Sequence, residues 1–297
     1  MSGLKGVLIG CLSVLLISPS YASQFFQDTI LLDGFSKGYA ITADTQGSDA
    51  LFKNPAAVTN TFTNELNTSA SSYYDDLFKT AYFRLKRPLS SSWIAAIQVP
   101  VQRHQNMAIT GLNTTSGEFY QVSTYADSLF ATIATIGHQK NDTGMAFGTS
   151  IGVYQHQIHT RKETRLGIDI GLLSPFKYGQ WGLSLQSIQT LSPFSILSSL
   201  QSQYQANMGF HILGTSWRPD LLTDISFSPN QPAQINLGLR YSLTNILSIT
   251  GGVFDLKTQR RMSLGVNLNL PNYAIQYGYG HAGILGNIHK IGVTLYD

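Results

Sequence analysis

The sequence predicts an all-β protein: a transmembrane antiparallel β-barrel of about 14 strands with a short N-terminal helical or plug segment. Three observations predict this fold. Short segments in which apolar and polar residues alternate follow one another from about residue 65 to the last residue. Charged residues make up only 12% of the chain, about half the usual share of a soluble domain. The first residues have the pattern of an export signal.

The hydropathy of the chain agrees with a barrel better than with membrane helices. The mean hydropathy is zero, and no segment after the signal has the roughly 18 to 20 unbroken apolar residues of a membrane helix. A barrel combines these properties because only every second residue of a strand faces lipid. The 15 Tyr and 15 Phe would supply aromatic girdles at the two interfaces. The net charge of +3 is small and scattered, so we expect no nucleic acid as a partner.

The first 22 residues are predicted to be a signal peptide. Lys5 supplies the positive charge, an apolar stretch follows, and small residues precede a cleavage site after Ala22. An alternative is a lipoprotein box at residues 8–11, but cleavage there would leave an apolar core of about five residues, shorter than usual. Cleavage after Ala22 would also remove Cys11, the only cysteine, so no disulfide and no cysteine metal site would remain.

Residues 23–64 differ from the alternating residues 65–297, which we predict to be the barrel domain. Asn54 can cap a helix and Pro55 suits the first helical position, so we predict a short helix that starts near Pro55. Two interpretations of the segment remain open. It is either a helical lead-in to the barrel or a plug that is tucked into the lumen.

About fourteen strands are predicted after this segment, and most have the roughly 9 to 11 residues of a tilted membrane-spanning strand. One face of the clearest strands is apolar and the other carries mainly Gly, Ser, Asn and Gln, so we assign these faces to lipid and to a polar lumen. A soluble β-sandwich would carry more charge, and a propeller would show a repeat of roughly 40 to 50 residues. The strands are predicted near 66–73, 77–87, 91–102, 122–137, 143–157, 163–173, 180–189, 203–214, 219–228, 233–243, 246–254, 260–270, 272–281 and 287–296.

Loop lengths predict the orientation of the barrel. With both chain ends in the periplasm, short connections alternate with longer ones, and the two longest loops, about 103–121 and 190–202, lie outside the cell. The second loop is unusually apolar. It either folds over the barrel mouth or offers an entry site for a hydrophobic ligand or a docking surface for a partner. The residues concerned are Pro193, Phe194, Ile196 and Leu197.

A motif near the N-terminus resembles that of a known group of outer-membrane proteins. Residues 47–56, which include Phe52, Asn54, Pro55 and Ala56, run from small and acidic residues through an aromatic residue to Asn-Pro-Ala. This order resembles the motif of PorV/PorQ-type outer-membrane proteins and, more distantly, of FadL-type fatty-acid channels. The resemblance implies a ligand or plug motif at these four residues.

The C-terminal residues carry a second resemblance. Residues 273–279 and 285–293 contain Tyr-Ala-aromatic, then Leu-Gly, and then a His followed by a Lys. This arrangement is similar to the closing hairpin of the PorV/PorQ group. The two resemblances together imply a 14-stranded FadL-like barrel with an N-terminal segment in or under it. They also imply either passage of hydrophobic compounds or a role in protein secretion or surface attachment of the type IX kind.

No local group of residues predicts catalysis. An outer-membrane phospholipase needs a Ser, a His and an orienting polar residue that converge, and no signature of such a set is present. We therefore predict no enzyme and no catalytic residue. His156 and His159 are interpreted as solvated side chains beside a loop rather than as a metal pair. We predict no metal site and no cofactor.

Three functions remain as hypotheses for a protein that we expect in the bacterial outer membrane, in contact with lipid and lipopolysaccharide. The first is a barrel that binds or passes a hydrophobic small molecule. The second is an accessory barrel whose partner is a secretion-system protein. The third is a general porin, which the sparse lumen charge and the N-terminal segment disfavour.

Overall fold

The computed structural model describes residues 32–44, 49–74, 76, 78–112, 119–158, 161–190, 203–215, 218–228, 232–254, 256, 261–281 and 286–297. In these residues, helices α1 (Leu32–Ser36) and α2 (Ala50–Lys53) and a 3-10 helix (Pro55–Asn60) precede the strands. The strands are β1 Glu65–Tyr73, β2 Phe78–Pro88, β3 Trp93–Leu112, β4 Phe119–Gln139, β5 Ala146–Ile158, β6 Arg161–Phe176, β7 Gly179–Thr190, β8 Gln203–Ile212, β9 Asp220–Phe227, β10 Gln234–Ser242, β11 Leu247–Phe254, β12 Arg261–Asn269, β13 Tyr273–His281 and β14 Asn287–Tyr296.

The strands form one closed antiparallel barrel. Each strand pairs with its neighbour in the chain, and β14 pairs with β1 from Tyr296 opposite Glu65 to Ile288 opposite Tyr73. Closure leaves no strand edge with unpaired backbone groups, which is what the interior of a bilayer requires. The prediction of an all-β transmembrane barrel of about 14 strands is confirmed. No helix in the described part of the chain is long and apolar enough to cross a membrane.

The predicted long loop at about 103–121 is wrong. β3 continues to Leu112 and β4 begins at Phe119, so most of this segment extends the β3–β4 hairpin. The pairing of the two strands shifts between His104 and Met107, and once more further along. Such a bulge adds a residue to one strand, so the period-two alternation is lost where the strand itself continues.

The two faces of the barrel wall follow the predicted alternation. Ile97, Ile168 and Leu264 are 50%, 50% and 60% exposed on the outer face, where they would contact lipid acyl chains. Their neighbours in sequence on the other face, such as Gln98 and Ser263, are buried in the lumen. The outer surface is therefore apolar and the inner surface largely polar, as in membrane-spanning barrels.

The two ends of the barrel are distinguished by the chain termini. The terminal end carries the start of β1 and the end of β14, where the Asp297 amide donates to the Asn64 carbonyl at 3.2 Å. The connections here are short, as predicted; for example, β10 ends at Ser242 and β11 begins at Leu247. The opposite end, called the distal end below, carries the β1–β2 turn and the extended β3–β4 hairpin.

Candidate functional site

The described part of the N-terminal segment runs through the inside of the barrel. Residues 32–44 and 49–60, called the lumenal segment below, are buried except for the half-buried Asn60. Helix α1 contacts β11 to β14, whereas the 3-10 helix contacts β3 to β6. The segment therefore reaches from one side of the barrel wall to the other. Of the two interpretations left open by the sequence, this course supports the plug.

Inward-facing glycines make the room that the lumenal segment occupies. A Cβ atom at Gly148 would overlap the backbone of Pro55, and one at Gly252 would overlap the backbone of Gly38. Because these contacts involve backbone atoms, no side-chain rotation could relieve them. Inward-facing glycines on eight further strands would also bring a Cβ atom within 3 Å of the segment, namely Gly137, Gly171, Gly182, Gly209, Gly238, Gly265, Gly280 and Gly292.

The predicted Phe52, Asn54, Pro55 and Ala56 motif lies at the point where the segment meets the wall. Asn54 is fully buried, and its Oδ1 accepts a hydrogen bond from the Ala56 amide at 3.1 Å as the cap of the 3-10 helix. Its Nδ2 donates to the carbonyl of Thr42 at 2.9 Å and to that of Leu172 in β6 at 3.1 Å. Asn54 thus links two parts of the segment to the barrel.

Phe52 and its neighbours complete this contact. The Phe52 ring lies 4.9 Å from that of Tyr82, and its carbonyl accepts from Gln186 Nε2 at 2.6 Å. Pro55 and Ala56 pack on Gly148. The geometry gives the motif an anchoring role, while its role in ligand binding stays a prediction. The proposed mouth-loop residues Pro193, Phe194, Ile196 and Leu197 lie outside the described residues.

Asp224 of β9 holds the lumenal segment by several contacts at once. It is 1% exposed, and its Oδ2 accepts from the backbone amides of Ile41 and Thr42, each at 3.0 Å, and from the Thr42 hydroxyl at 2.8 Å. Lys53 Nζ lies 3.0 Å from the same oxygen and also donates to the Tyr39 carbonyl. A buried carboxylate is tolerated when a cation and several donors surround it in this way.

A second group of charges joins the segment to the wall nearer the terminal end. Lys37 Nζ lies 2.6 Å from both Asp33 and Asp44. Arg240 of β10 lies 3.5 Å from Asp44 and donates through Nε to Asp220 at 2.9 Å. Desolvation by burial raises the pKa of Asp33. Burial acts in the same direction on Asp44, but the nearby cations, first Lys37, outweigh it and hold the Asp44 pKa below its usual range.

A third charged group lies at the terminal end of the lumen. Glu65 at the start of β1 is in ion pairs with Arg84, at 2.9 Å, and with Lys86. All three side chains are buried. Together with the other two groups, they place paired charges in the terminal half of the lumen, beside a buried apolar cluster of Leu51, Val58, Ile94 and Ala96.

The distal half of the lumen is lined by aromatic rings. The rings of Phe35 and Tyr39 in the lumenal segment pack against Phe254 of β11 at 6.1 and 5.1 Å. Tyr73 of β1 stacks on Phe78 of β2 at 4.4 Å with an interplanar angle of 10°. These five residues are called the aromatic cluster below. Lys290 joins its two halves, since Nζ lies 4.7 Å from the ring of Phe35 and 5.2 Å from that of Tyr73.

The aromatic stack continues to a polar group at the distal end. His104 of β3 lies 4.6 Å from Phe78 with an interplanar angle of 3°. Asp127 of β4 is the register partner of His104, and its Oδ1 lies 2.8 Å from His156 Nε2. His156 lies near the end of β5 and is about one-third exposed, so its interpretation as a solvated side chain stays a prediction. His159 lies outside the described residues.

Sequence reasoning missed most of these charged contacts. The alternation of faces is consistent with the inward positions of Asp169 and Arg240, which are both buried. It did not indicate what they contact, because the partners of the wall residues lie in the N-terminal segment. Among the described residues, no group of three or more His, Cys, Asp or Glu side chains could hold a metal ion.

The fold resembles two solved structures over nearly their whole lengths. One is the toluene transporter TodX of Pseudomonas putida, with a TM-score of 0.62, 11% identity, and coverage of 91% of this chain and 98% of that chain. The other is the monoaromatic hydrocarbon channel CymD, with a TM-score of 0.61, 9% identity, and coverage of 92% and 99%. No family model and no curated protein matches the chain.

These likenesses concern the fold. At such low identity they show only that the chain shares the barrel fold of these two proteins. The two similar proteins are a transporter and a channel. The more specific resemblance to the PorV/PorQ group stays a prediction.

Proposed function

We propose that this protein is an outer-membrane channel that binds hydrophobic small molecules, of the monoaromatic kind, and passes them across the membrane. The observation that carries the proposal is the aromatic cluster that the lumenal segment and the barrel wall form together in the distal half of the lumen. The likeness in fold to a toluene transporter and a monoaromatic hydrocarbon channel supports it.

The physical argument rests on the contrast between the two halves of the lumen. An apolar ring gains free energy when it leaves water for a surface of Phe and Tyr rings, and ring–ring contacts add about 0.5 to 1.5 kcal/mol. The paired charges in the terminal half hold the lumenal segment across the barrel instead of binding such a molecule. A general porin needs an open aqueous path instead, so this arrangement favours selective passage.

Uptake by intact cells tests the proposed function. Cells that lack the protein and cells that express it are given labelled toluene or labelled sucrose at low concentration. We expect expression to raise the initial rate of toluene uptake severalfold and to leave sucrose uptake unchanged. Equal toluene rates in the two strains would remove the proposal, whereas faster uptake of both compounds would indicate a general porin.

A second candidate is an accessory role in protein export or surface attachment. The closing hairpin favours it, because its outward face at the distal end carries hydrogen-bonded polar side chains. Tyr277 and His289 lie 2.8 Å apart there, and Tyr279 donates to Asn287 at 3.0 Å. Isolation of a tagged copy in mild detergent would support this role if a stoichiometric protein partner were recovered, and would count against it if the barrel were recovered alone.

A further inference from the structure

We propose that the distal end of the lumen holds a site for neutral hydroxylated aromatic compounds, that is, phenols. The site, called the rim site below, consists of His104, Asp127, Leu129, Tyr154 and His156. It rests on the proposed function, because it selects among the aromatic molecules that such a channel would admit. It adds polar side chains that can distinguish between small aromatic compounds. The aromatic cluster alone would bind such compounds with similar affinities.

The five residues come together through the register of three neighbouring strands. His104 of β3 faces Asp127 of β4, and Leu129 of β4 faces His156 of β5. Tyr154 lies two residues before His156 on the same inward face, where Gly152 leaves room for its ring. The rim site therefore has a polar edge at the distal end and an apolar floor that continues into the aromatic cluster.

The polar edge has hydrogen-bonding capacity that faces the lumen. Asp127 and His156 are 25% and 34% exposed, in contrast with the buried ion pairs of the terminal half. Asp127 Oδ1 lies 2.8 Å from His156 Nε2, and a carboxylate can accept several hydrogen bonds in addition to this one. The edge thus offers acceptors to a molecule that carries a hydroxyl donor.

The apolar side of the rim site is formed by stacked rings and half-buried side chains. Tyr73, Phe78 and His104 are stacked in nearly parallel planes across β1, β2 and β3. Leu129 and Tyr154 are half-buried and pack against the same cluster of buried side chains. A single aromatic ring that lies on this surface would place a substituent within reach of Asp127 and His156.

Hydrogen bonding decides which aromatic compounds this site would favour. A plain hydrocarbon would cover the Asp127–His156 pair without replacing its water, and an unsatisfied polar group costs about 1 to 3 kcal/mol. An aromatic carboxylate has no proton to donate to Asp127 and carries a charge of the same sign. A phenol donates a hydrogen bond and carries no charge, so it meets both requirements.

Binding of three matched compounds tests the proposal. Toluene, p-cresol and p-toluate share a methyl-substituted ring and differ in the group that would reach the rim site. Equilibrium dialysis of the full-length barrel in detergent, corrected with a detergent-only chamber, gives the dissociation constant of each. We expect p-cresol to bind about tenfold more tightly than toluene, the value of one hydrogen bond to a charged group, and p-toluate to bind least tightly.

Two variants and one control assign the preference to the rim site. Asp127→Val and His156→Phe each replace one polar side chain of the rim site by an apolar side chain. We expect the ratio of the toluene and p-cresol dissociation constants to fall from about ten towards one in both variants. Binding of toluene should be retained, which also shows that the barrel is folded. His289→Phe, on the exposed outer face at the same end, should leave the ratio unchanged.

The outcomes separate this proposal from the proposed function. Toluene binding that equals or exceeds p-cresol binding in the unaltered protein overturns the rim site alone, as does an unchanged ratio in both rim variants. If neither compound binds above the detergent background, the proposed function fails and the rim site fails with it.

Discussion

Buried charges at single positions decide how the lumenal segment is held. Asp224 binds two backbone amides, a hydroxyl and Lys53, although it is almost completely buried. Removing one member of such a group leaves the others without a partner in a place that water does not reach easily. Removing any one partner of this contact therefore costs more free energy than the intact contact contributes to stability.

We predict that Asp224→Ala releases the lumenal segment from the wall. Loss of one partner of a buried ion pair costs about 3 to 5 kcal/mol, and the barrel strands are held by separate ladder hydrogen bonds. Hydrogen exchange of the Ile41 and Thr42 amides should therefore accelerate by at least tenfold, while amides of the strands keep their protection. Asp142→Ala is the control, since its ion pair with Lys140 is exposed. Unchanged exchange at Ile41 and Thr42 would contradict the assigned role of Asp224.

Sequence reasoning at this scale predicted local contacts and missed distant ones. The cap at Asn54 and the helix start at Pro55 follow from the conformational preferences of those residue types, and both are present. Asp224 and Ile41 are 183 residues apart in the chain. The period of a strand indicates which face a side chain occupies, but not which distant segment will cover that face.

At the level of elements, the strands and the segment inside them fit because small residues face inward. Period-two patterns predicted all fourteen strands, since every strand has one face in lipid and one in the lumen. The last residues of β3 and the first residues of β4 were not predicted, because bulges interrupt the alternation there. The sequence predicted the inward glycines only as small lumen residues. Their contact with the lumenal segment could not be predicted, because the alternation of a strand does not indicate what covers its inner face.

Two adjacent glycines of β11 allow a matched test of this fit. Gly252 faces the lumenal segment at Gly38, whereas a Cβ on Gly251 would make only ordinary contacts, the nearest 3.5 Å from Leu264. We predict that Gly252→Leu displaces the segment and that Gly251→Leu does not. Limited proteolysis in detergent should cut within residues 32–60 at least tenfold faster in the first variant. Equal cleavage of both variants would show that the segment does not depend on the space at Gly252.

At the level of the whole molecule, paired charges and aromatic rings are concentrated in different halves of the lumen. The charges hold the segment across the terminal half, and the rings line the distal half. We predict that the protein in a planar bilayer shows no steady open conductance, because the segment occupies the lumen. The double variant Asp224→Ala with Gly252→Leu should conduct ions steadily. Porin-like conductance of the unaltered protein would contradict a lumen that the segment closes.

The location of a bound aromatic molecule tests the central claim most directly. A crystal structure with p-bromotoluene would reveal the bromine by its anomalous scattering. We expect the bromine within the lumen, beside Phe35, Tyr39, Tyr73 or Phe254 of the aromatic cluster. Bromine found only on the lipid-facing surface, with none in the lumen, would contradict the claim that the aromatic cluster receives the transported compound.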